Sequence, residues 1–325
     1  MSFWQKLKKP IIVLAPLADV TDAAFRRVIA KYGKPDVMWT EFVSADGLML
    51  ADEEGKKKLL ADLAYTEAER PIVAQLFSSD EKNMEGAAAL CRELGFDGID
   101  INMGCPHKPI EKQGCGSAMI KNPEKARAII RATKRGAGHL PVSVKTRLGY
   151  NKDELETWLP ELLKENPAVV TIHARTRKEM SKVPARWERV ARAIEIRDEM
   201  GSETLIFGNG DVLSVEHARE LAAEHHADGV MLGRAIFGNP WLFSRSENSR
   251  DITLKEKLVV MVEHTKLFEE LLPHKNFAVM KKHYKAYCHG FQGAKELRMK
   301  LMEKENSDEV ETLVNDFLQS VHSKS

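Results

Sequence analysis

The chain has few of the features that would tie it to a membrane, an export route or a bulk polyanion. No apolar stretch approaches the roughly twenty residues of a membrane-spanning helix. Lys6 to Lys9 followed by Ile11 to Ala18 imitates the charged and apolar parts of a signal peptide, but the run is short and contains Pro16. It also ends at Asp19 with no small-residue cleavage site, so a buried strand is the better reading. The formal net charge is only +1 over 325 residues, which excludes a protein that coats nucleic acid by charge alone. Any such surface must be a local patch. There are four cysteines, Cys91, Cys105, Cys115 and Cys288, with no CxxC spacing and no zinc pattern. Reduced thiols in a cytoplasm are expected, and no metal. No glycine-rich dinucleotide fingerprint is present either.

The chain does have the material for a full core: 43% of its residues are hydrophobic and 30% charged, as in an ordinary globular protein of one large domain or two. Between Ile11 and Leu232, short β-branched or apolar runs alternate with longer amphipathic ones, the pattern of repeated βα units around a parallel sheet. Eight runs stand out: Ile11 to Ala15, Val37 to Phe42, Pro71 to Phe77, Gly98 to Asn102, Pro141 to Thr146, Ala168 to His173, Thr204 to Phe207 and Asp228 to Leu232. Thr21-Asp22, Ser79-Asp80, Asn122-Pro123 and Ser214 stand before the intervening helical stretches, where N-cap residues belong. Eight such units in roughly 230 residues predict an α/β fold, a (β/α)8 TIM barrel, with its site at the C-terminal ends of the strands. An open doubly wound sheet is the competing architecture. It would bind at one switch point and leave polar residues at all eight ends unexplained.

Those ends carry Ala15-Pro-Leu-Ala18, Thr40-Glu41, Gln75, Asn102 with Cys105, Lys145 with Arg147, His173 with Arg175 and Arg177, Gly208-Asn-Gly-Asp211, and Gly233-Arg234. Barrel stability requires none of them, so together they point to a ligand. Asn209-Gly-Asp211 or Gly233-Arg234 alone reads as an ordinary turn. Both together, after the seventh and eighth runs, read as a phosphate site, because glycine lets backbone N–H groups approach and Arg234 adds a charged fork. Lys145 closes an apolar strand, where burial of its charge is costly unless an anion such as a phosphate or a flavin meets it; the plain alternative is a flexible stem reaching solvent. His173 and Gln75 alone would be unremarkable. The segment from Asn102 to Pro123 is a loop of about twenty residues without periodicity, a length that is usually functional in a compact domain. It carries Cys105 and Cys115.

Seven stretches, in order, resemble the tRNA-dihydrouridine synthases of bacterial type. They are Ala15-Pro-Leu-Ala-Asp-Val-Thr-Asp22 with Phe25-Arg26, Gln75-Leu-Phe77, Asp100-Ile-Asn-Met-Gly-Cys-Pro106, Val144-Lys-Thr-Arg-Leu-Gly149, His173-Ala-Arg-Thr-Arg177, Gly208-Asn-Gly-Asp211 and Gly233-Arg-Ala-Ile-Phe-Gly-Asn-Pro240. Two departures stand out: Pro-Leu-Ala-Asp replaces the frequent Pro-Met-Ala-Gly, and Cys115 is a second thiol in the loop. The resemblance implies an FMN-binding catalytic barrel over residues 1–243 and a helical tRNA-binding domain over 244–325. It also implies reduction of the C5–C6 bond of specific tRNA uridines to 5,6-dihydrouridine, with NADPH as electron donor.

Carried over position by position, Pro16, Leu17, Ala18 and Gln75 should meet the isoalloxazine, and Lys145 its N1/O2 edge. His173, Asn209, Gly210, Asp211, Gly233 and Arg234 should follow the ribityl chain and phosphate. Asn102 should face flavin and uracil, and Arg175 and Arg177 the substrate. Cys105 should give its proton to C5 after hydride reaches C6 from FMN N5, which requires a thiol that stays protonated. The loop from Met103 to Ala118 should close over a uracil drawn out of the folded tRNA.

After Phe243 the β-rich runs stop, and Ile252 to Val321 reads as amphipathic helices. From His274 to Lys300 there are seven Lys or Arg and one acid, Glu296. Phe277, Met280, Tyr284, Cys288 and Phe291 are expected on one face of a single helix, with Lys275, Lys282, Lys285 and His289 on another. Such a patch by itself is more often a solvated face. Beside a uridine-reducing barrel it reads as a phosphate-contacting tRNA surface, with Lys282 and Lys285 as its contacts. The competing readings are an FMN-dependent reductase or dehydrogenase of free pyrimidines, and a non-catalytic RNA-binding barrel. A monomer in the cytoplasm is expected.

Overall fold

The computed structural model describes residues 2–244 and 252–322. Eight parallel strands follow one another around a curled sheet: β1 (Ile11–Leu14), β2 (Met38–Ser44), β3 (Ile72–Phe77), β4 (Gly98–Asn102), β5 (Val142–Arg147), β6 (Val169–His173), β7 (Leu205–Asn209) and β8 (Gly229–Leu232). Their order is β1-β8-β7-β6-β5-β4-β3-β2. A bridge between Val13 and Val37 joins the two ends of that order, giving the α/β barrel predicted from the alternating runs. Asp22, Asp80, Asn122 and Ser214 each accept a hydrogen bond from a backbone N–H of the helix that follows. Among the described residues no helix is long and apolar enough to cross a membrane.

Strand periodicity separates two cores. One parity turns Ile12, Leu14, Ile72, Ile99 and Val144 toward the surrounding helices. The other turns Ile11, Val13, Trp39, Val73, Val169, Phe207 and Met231 into the barrel, above Trp4 of the N-terminal 3-10 turn Phe3–Lys6. The helices Glu81–Glu93 and Pro123–Ala137 pack so closely that a Cβ on Gly136 would lie 2.0 Å from the Glu85 carbonyl oxygen.

The chain after residue 252 forms four helices, Leu254–Leu271, Met280–Tyr287, Ala294–Leu301 and Ser307–His322. Leu258, Met261, Phe268, Tyr284, Leu297 and Val310 build their own core. The expected division at 243/244 adjoins residues 245–251, which lie outside the described residues. The expected continuous helix from Lys275 to Phe291 is shorter. A 3-10 turn, Phe277–Val279, leads into Met280–Tyr287, and Gly290 and Gly293 then adopt positive φ of 79° and 82°. Those left-handed glycines stop the helix before Phe291.

The helical unit docks on the barrel helix Ala23–Tyr32. Glu263 accepts from Lys31 at 2.7 Å and from Tyr32 at 2.6 Å. Phe25 stacks on His264 with centroids 4.6 Å apart. Lys275, expected on an exposed basic face, is half-buried instead, 2.7 Å from Glu41 and 3.0 Å from Asp62. Two carboxylates of the barrel therefore take this lysine out of the solvent-facing patch.

Candidate active site

The parity that fills the barrel with apolar side chains delivers polar ones at its C-terminal end. Gln75, Asn102, Lys145, Arg147, His173 and Asn209 all line one cavity of about 880 Å³. Register brings them side by side: Asn102 pairs with Lys145, Arg147 with His173, and His173 with Asn209. Pro16, Leu17, Ala18, Cys105, Arg175, Gly210, Asp211, Gly233 and Arg234 complete the expected part of the lining. Among the described residues no group of three or more His, Cys, Asp or Glu is placed to hold a metal ion.

Positive charge dominates one wall. The single hydrogen bond described for the Lys145 ammonium is a long one, 3.4 Å to Asn209 Oδ1. Burial and the neighbouring Arg147 push Lys145 down to about 8, against the pull of Asp100. Burial likewise brings Arg147 down to about 10. Its guanidinium is tied to the carbonyls of Gly104 at 2.8 Å and of Thr176 and Met180 at 3.2 Å. His173 is held well below the usual imidazole range by burial and by Arg147, Lys145 and Arg175, so it is neutral at pH 7.

Asp211 sits at the cavity edge, but its carboxylate is engaged by protein. Arg175 and Arg234 both donate to it, Arg234 at 2.8 Å, as does the Ala185 N–H at 2.9 Å. Its geometry is that of a clamp holding two arginines, since a carboxylate would itself repel an anion. The two glycines differ: Gly210 has φ 128° and a Cβ there would lie 2.8 Å from the Ala185 Cβ, whereas a Cβ on Gly233 would meet only the Ala15 Cβ, at 3.9 Å.

The turn after β4 carries the thiol into the same cavity. Cys105 follows a turn in which Asn102 Oδ1 accepts from the N–H groups of Gly104 at 3.2 Å and Cys105 at 2.9 Å. The Cys105 carbonyl accepts from Ser117 N–H at 3.0 Å, and the Ser117 hydroxyl lies 2.9 Å from it. Burial pushes the Cys105 thiol up, against the His107 N–H and the charges of Arg147 and Lys145. The thiol is therefore protonated at neutral pH. The segment that reads as an aperiodic loop contains the helix Lys108–Lys112 and the 3-10 turn Gly116–Lys121. Each is too short to show periodicity, and Pro109 lies in the first turn of the first. Cys115 is buried with Phe77 and Ile110, where burial raises its thiol to about 11.

Three expected substrate contacts lie outside this cavity. Arg177 places its guanidinium on Glu111, with Nε 2.8 Å from Oε1, and stacks over Tyr150. Lys282, on the helical unit, is 3.8 Å from Asp19 of the barrel, and Lys285 lies on the same short helix as Lys282. Arg147, expected only as a polar strand end, lines the cavity, while Asp100 and Glu111 stand behind the lining, Asp100 on Gln75 and Glu111 on the Ser117 hydroxyl. An acid within Gly98-Ile-Asp-Ile101 at inward parity, and an arginine two residues after Lys145, were signals for the first two. Nothing local in the sequence pointed to Glu111.

A family model described as dihydrouridine synthase matches residues 13–322. The chain belongs to this family. It is 41% identical over 319 residues to the probable tRNA-dihydrouridine synthase 2 of Bacillus subtilis (strain 168), covering 97% of this chain and 96% of that protein. It is 40% identical over 319 residues to the probable tRNA-dihydrouridine synthase of Staphylococcus aureus (strain MRSA252), covering 97% and 95%. Among solved structures, the barrel is similar to histamine dehydrogenase from Rhizobium sp. 4-9, with TM-score 0.53, 11% identity and coverage of 79% of this chain and 48% of that one. It is also similar to 2-naphthoyl-CoA reductase, with TM-score 0.53, 13% identity and coverage of 71% and 49%. At such identities these two structures speak for the fold alone.

Proposed function

We propose that the protein reduces the C5–C6 double bond of uridine in tRNA to 5,6-dihydrouridine, with FMN in the barrel cavity and Cys105 as proton donor to C5. The observation that carries this reading is a protonated thiol in the same cavity as Lys145 and Arg147, two buried cations whose described hydrogen bonds go to neutral oxygens. The residues fit an anionic cofactor: Lys145 has one weak protein acceptor, Arg234 and the Gly210 and Gly233 backbones border open space, and the volume is within the range of cofactor sites. Family membership and the two relatives support tRNA uridine as substrate. When bound, FMN supplies the hydride for C6 of uracil.

The chain's own residues then have defined tasks. Pro16, Leu17, Ala18 and Gln75 would hold the ring system, while His173, Asn209, Gly210, Gly233 and Arg234 hold the ribityl and phosphate end. Asp211 keeps Arg234 and Arg175 in place. Lys145 keeps positive charge in a site of low dielectric and so favours an anionic partner. Cys105 retains its proton because burial disfavours the thiolate, and it releases that proton to a carbon that is gaining negative charge. NADPH is proposed as the electron donor. Residues 244–325 are proposed to orient the tRNA, with Lys282 and Lys285 on its phosphates.

Purified protein should be yellow and should form dihydrouridine in an unmodified tRNA transcript when NADPH is supplied. A colourless protein would rule out the flavin. Activity on free uracil but not on tRNA would support the pyrimidine-reductase reading instead. A yellow protein inert toward both would refute the proposal.

A further inference from the structure

The thiol is held by a relay of hydrogen bonds that begins inside the barrel. Asp100, in the middle of β4, is 1% exposed. It stands in register between Gln75 and Ser143. Its Oδ1 accepts from Ser143 Oγ at 2.5 Å and its Oδ2 from Gln75 Nε2 at 2.6 Å. Gln75 Oε1 then accepts from Asn102 Nδ2 at 3.1 Å. Asn102 Oδ1 ends the relay on the N–H groups of Gly104 and Cys105.

The polarity of this relay is fixed by its two ends. Backbone N–H groups can only donate, and an ionised carboxylate can only accept. Two amides in series between them have one consistent orientation, with each NH2 toward Asp100 and each oxygen toward the Cys105 turn. A proton on Asp100 does not reverse it, because Oδ1 can carry that proton toward Ser143 while Oδ2 still accepts from Gln75. Without an acceptor at position 100, the buried Gln75 NH2 loses its partner, and that cost favours amide flips. A flipped Gln75 would draw Asn102 Oδ1 away from the turn.

We propose that Asp100 is a positioning residue for Cys105, acting through the orientation of Gln75 and Asn102. The inference rests on the reading of Cys105 as proton donor and deepens it, yet the two can fail separately. Asp100 reaches no cavity wall itself; it sets where the thiol-bearing turn is held. A turn displaced by a fraction of an ångström slows a proton transfer that depends on alignment.

The test compares Asp100→Leu, which removes the acceptor, with Asp100→Asn, which keeps an oxygen toward Gln75 and turns its NH2 to the Ser143 hydroxyl. In flavin-free protein, hydrogen exchange at Gly104 and Cys105 should be at least tenfold faster in Asp100→Leu and within about twofold of wild type in Asp100→Asn. In flavin-loaded protein reduced with dithionite, single-turnover reoxidation by unmodified tRNA, counted per bound flavin, should slow at least tenfold in Asp100→Leu alone. Should the leucine variant not fold, Asp100→Ser replaces it, because its hydroxyl is too short to reach Gln75. Unchanged exchange in the acceptor-free variant would overturn the relay, as would equal acceleration in Asp100→Asn. The loss of dihydrouridine in Cys105→Ala tests the proton transfer independently of either result.

Discussion

Replacing Lys275 with methionine keeps the aliphatic stem and removes the cation between two barrel carboxylates. The side chains of Lys275, Glu41 and Asp62 are 13%, 8% and 21% exposed, with ammonium–carboxylate distances of 2.7 and 3.0 Å. Burial already pushes Glu41 above the usual carboxylate range, and burial together with Glu41 pushes nearby Asp22 up to about 7. Burial opposes the charge on Lys275, but Glu41 and Asp62 raise it. Removing one member of a buried pair costs about 3–5 kcal/mol, and the partial exposure of Asp62 sets the expectation at the lower end, about 3 kcal/mol. The sign of its pH dependence follows. Without Lys275 the folded Glu41 carboxyl rises further, so the variant binds a proton that its unfolded chain releases. The deficit is therefore largest above neutrality and shrinks as pH falls toward the unfolded glutamate value, about 4.3. Urea unfolding followed by circular dichroism at pH 8 and pH 5.5 measures it, and Glu41→Gln in the same chain should recover most of the loss. A loss below about 0.5 kcal/mol at pH 8, or a deficit that grows as pH falls, would refute the argument.

Gly136→Ala should destabilise by about 2 kcal/mol in the same assay, despite a helix-propensity gain of roughly 1, because its Cβ would meet the Glu85 carbonyl at 2.0 Å. The rings of His264 and His283 are buried against Phe25, and among the described residues the His264 nitrogens have no hydrogen-bond partner. Burial and Lys282 hold His283 down to about 3, so the unfolded chain takes up a proton there below about pH 6.5 that the fold does not. His283→Phe should remove a loss of up to about 1.4 kcal/mol per pH unit between pH 6.5 and 5, read from midpoints across that range. Charge reversal at Lys282 and Lys285 together should weaken tRNA binding and reduce its salt slope by about 2 in a filter-binding titration, while flavin content stays the same. Lys145→Met should lower FMN retention and shift the flavin reduction potential downward, read by spectroelectrochemistry, because it removes the positive charge that favours an anionic partner.

The fold was legible because its signals are local. β-branched runs and N-cap residues depend on neighbours in sequence, and all eight strands lie within a few residues of the runs that announced them. The cavity lining was legible for a similar reason: a barrel puts strand ends on one face, so Gln75, Lys145 and His173 could be placed without knowing their partners. Partners over long sequence separations were not legible. Lys275 and Glu41 meet across 234 residues and Arg177 and Glu111 across 66. Composition shows four charged residues there and nothing of who neutralises whom. The same holds for Asp100, whose tie to Gln75 spans 25 residues and whose effect on the thiol is two hydrogen bonds further on.

The central claim is that Cys105 delivers a proton to uracil, and Cys105→Ala tests it most directly. With the flavin reduced in advance, the variant should keep its FMN and bind tRNA as wild type does. Its single-turnover formation of dihydrouridine, read as a 2 Da gain in the nucleoside by mass spectrometry, should fall by at least about a hundredfold, the usual contribution of a positioned acid. Formation at the wild-type rate would contradict the assignment.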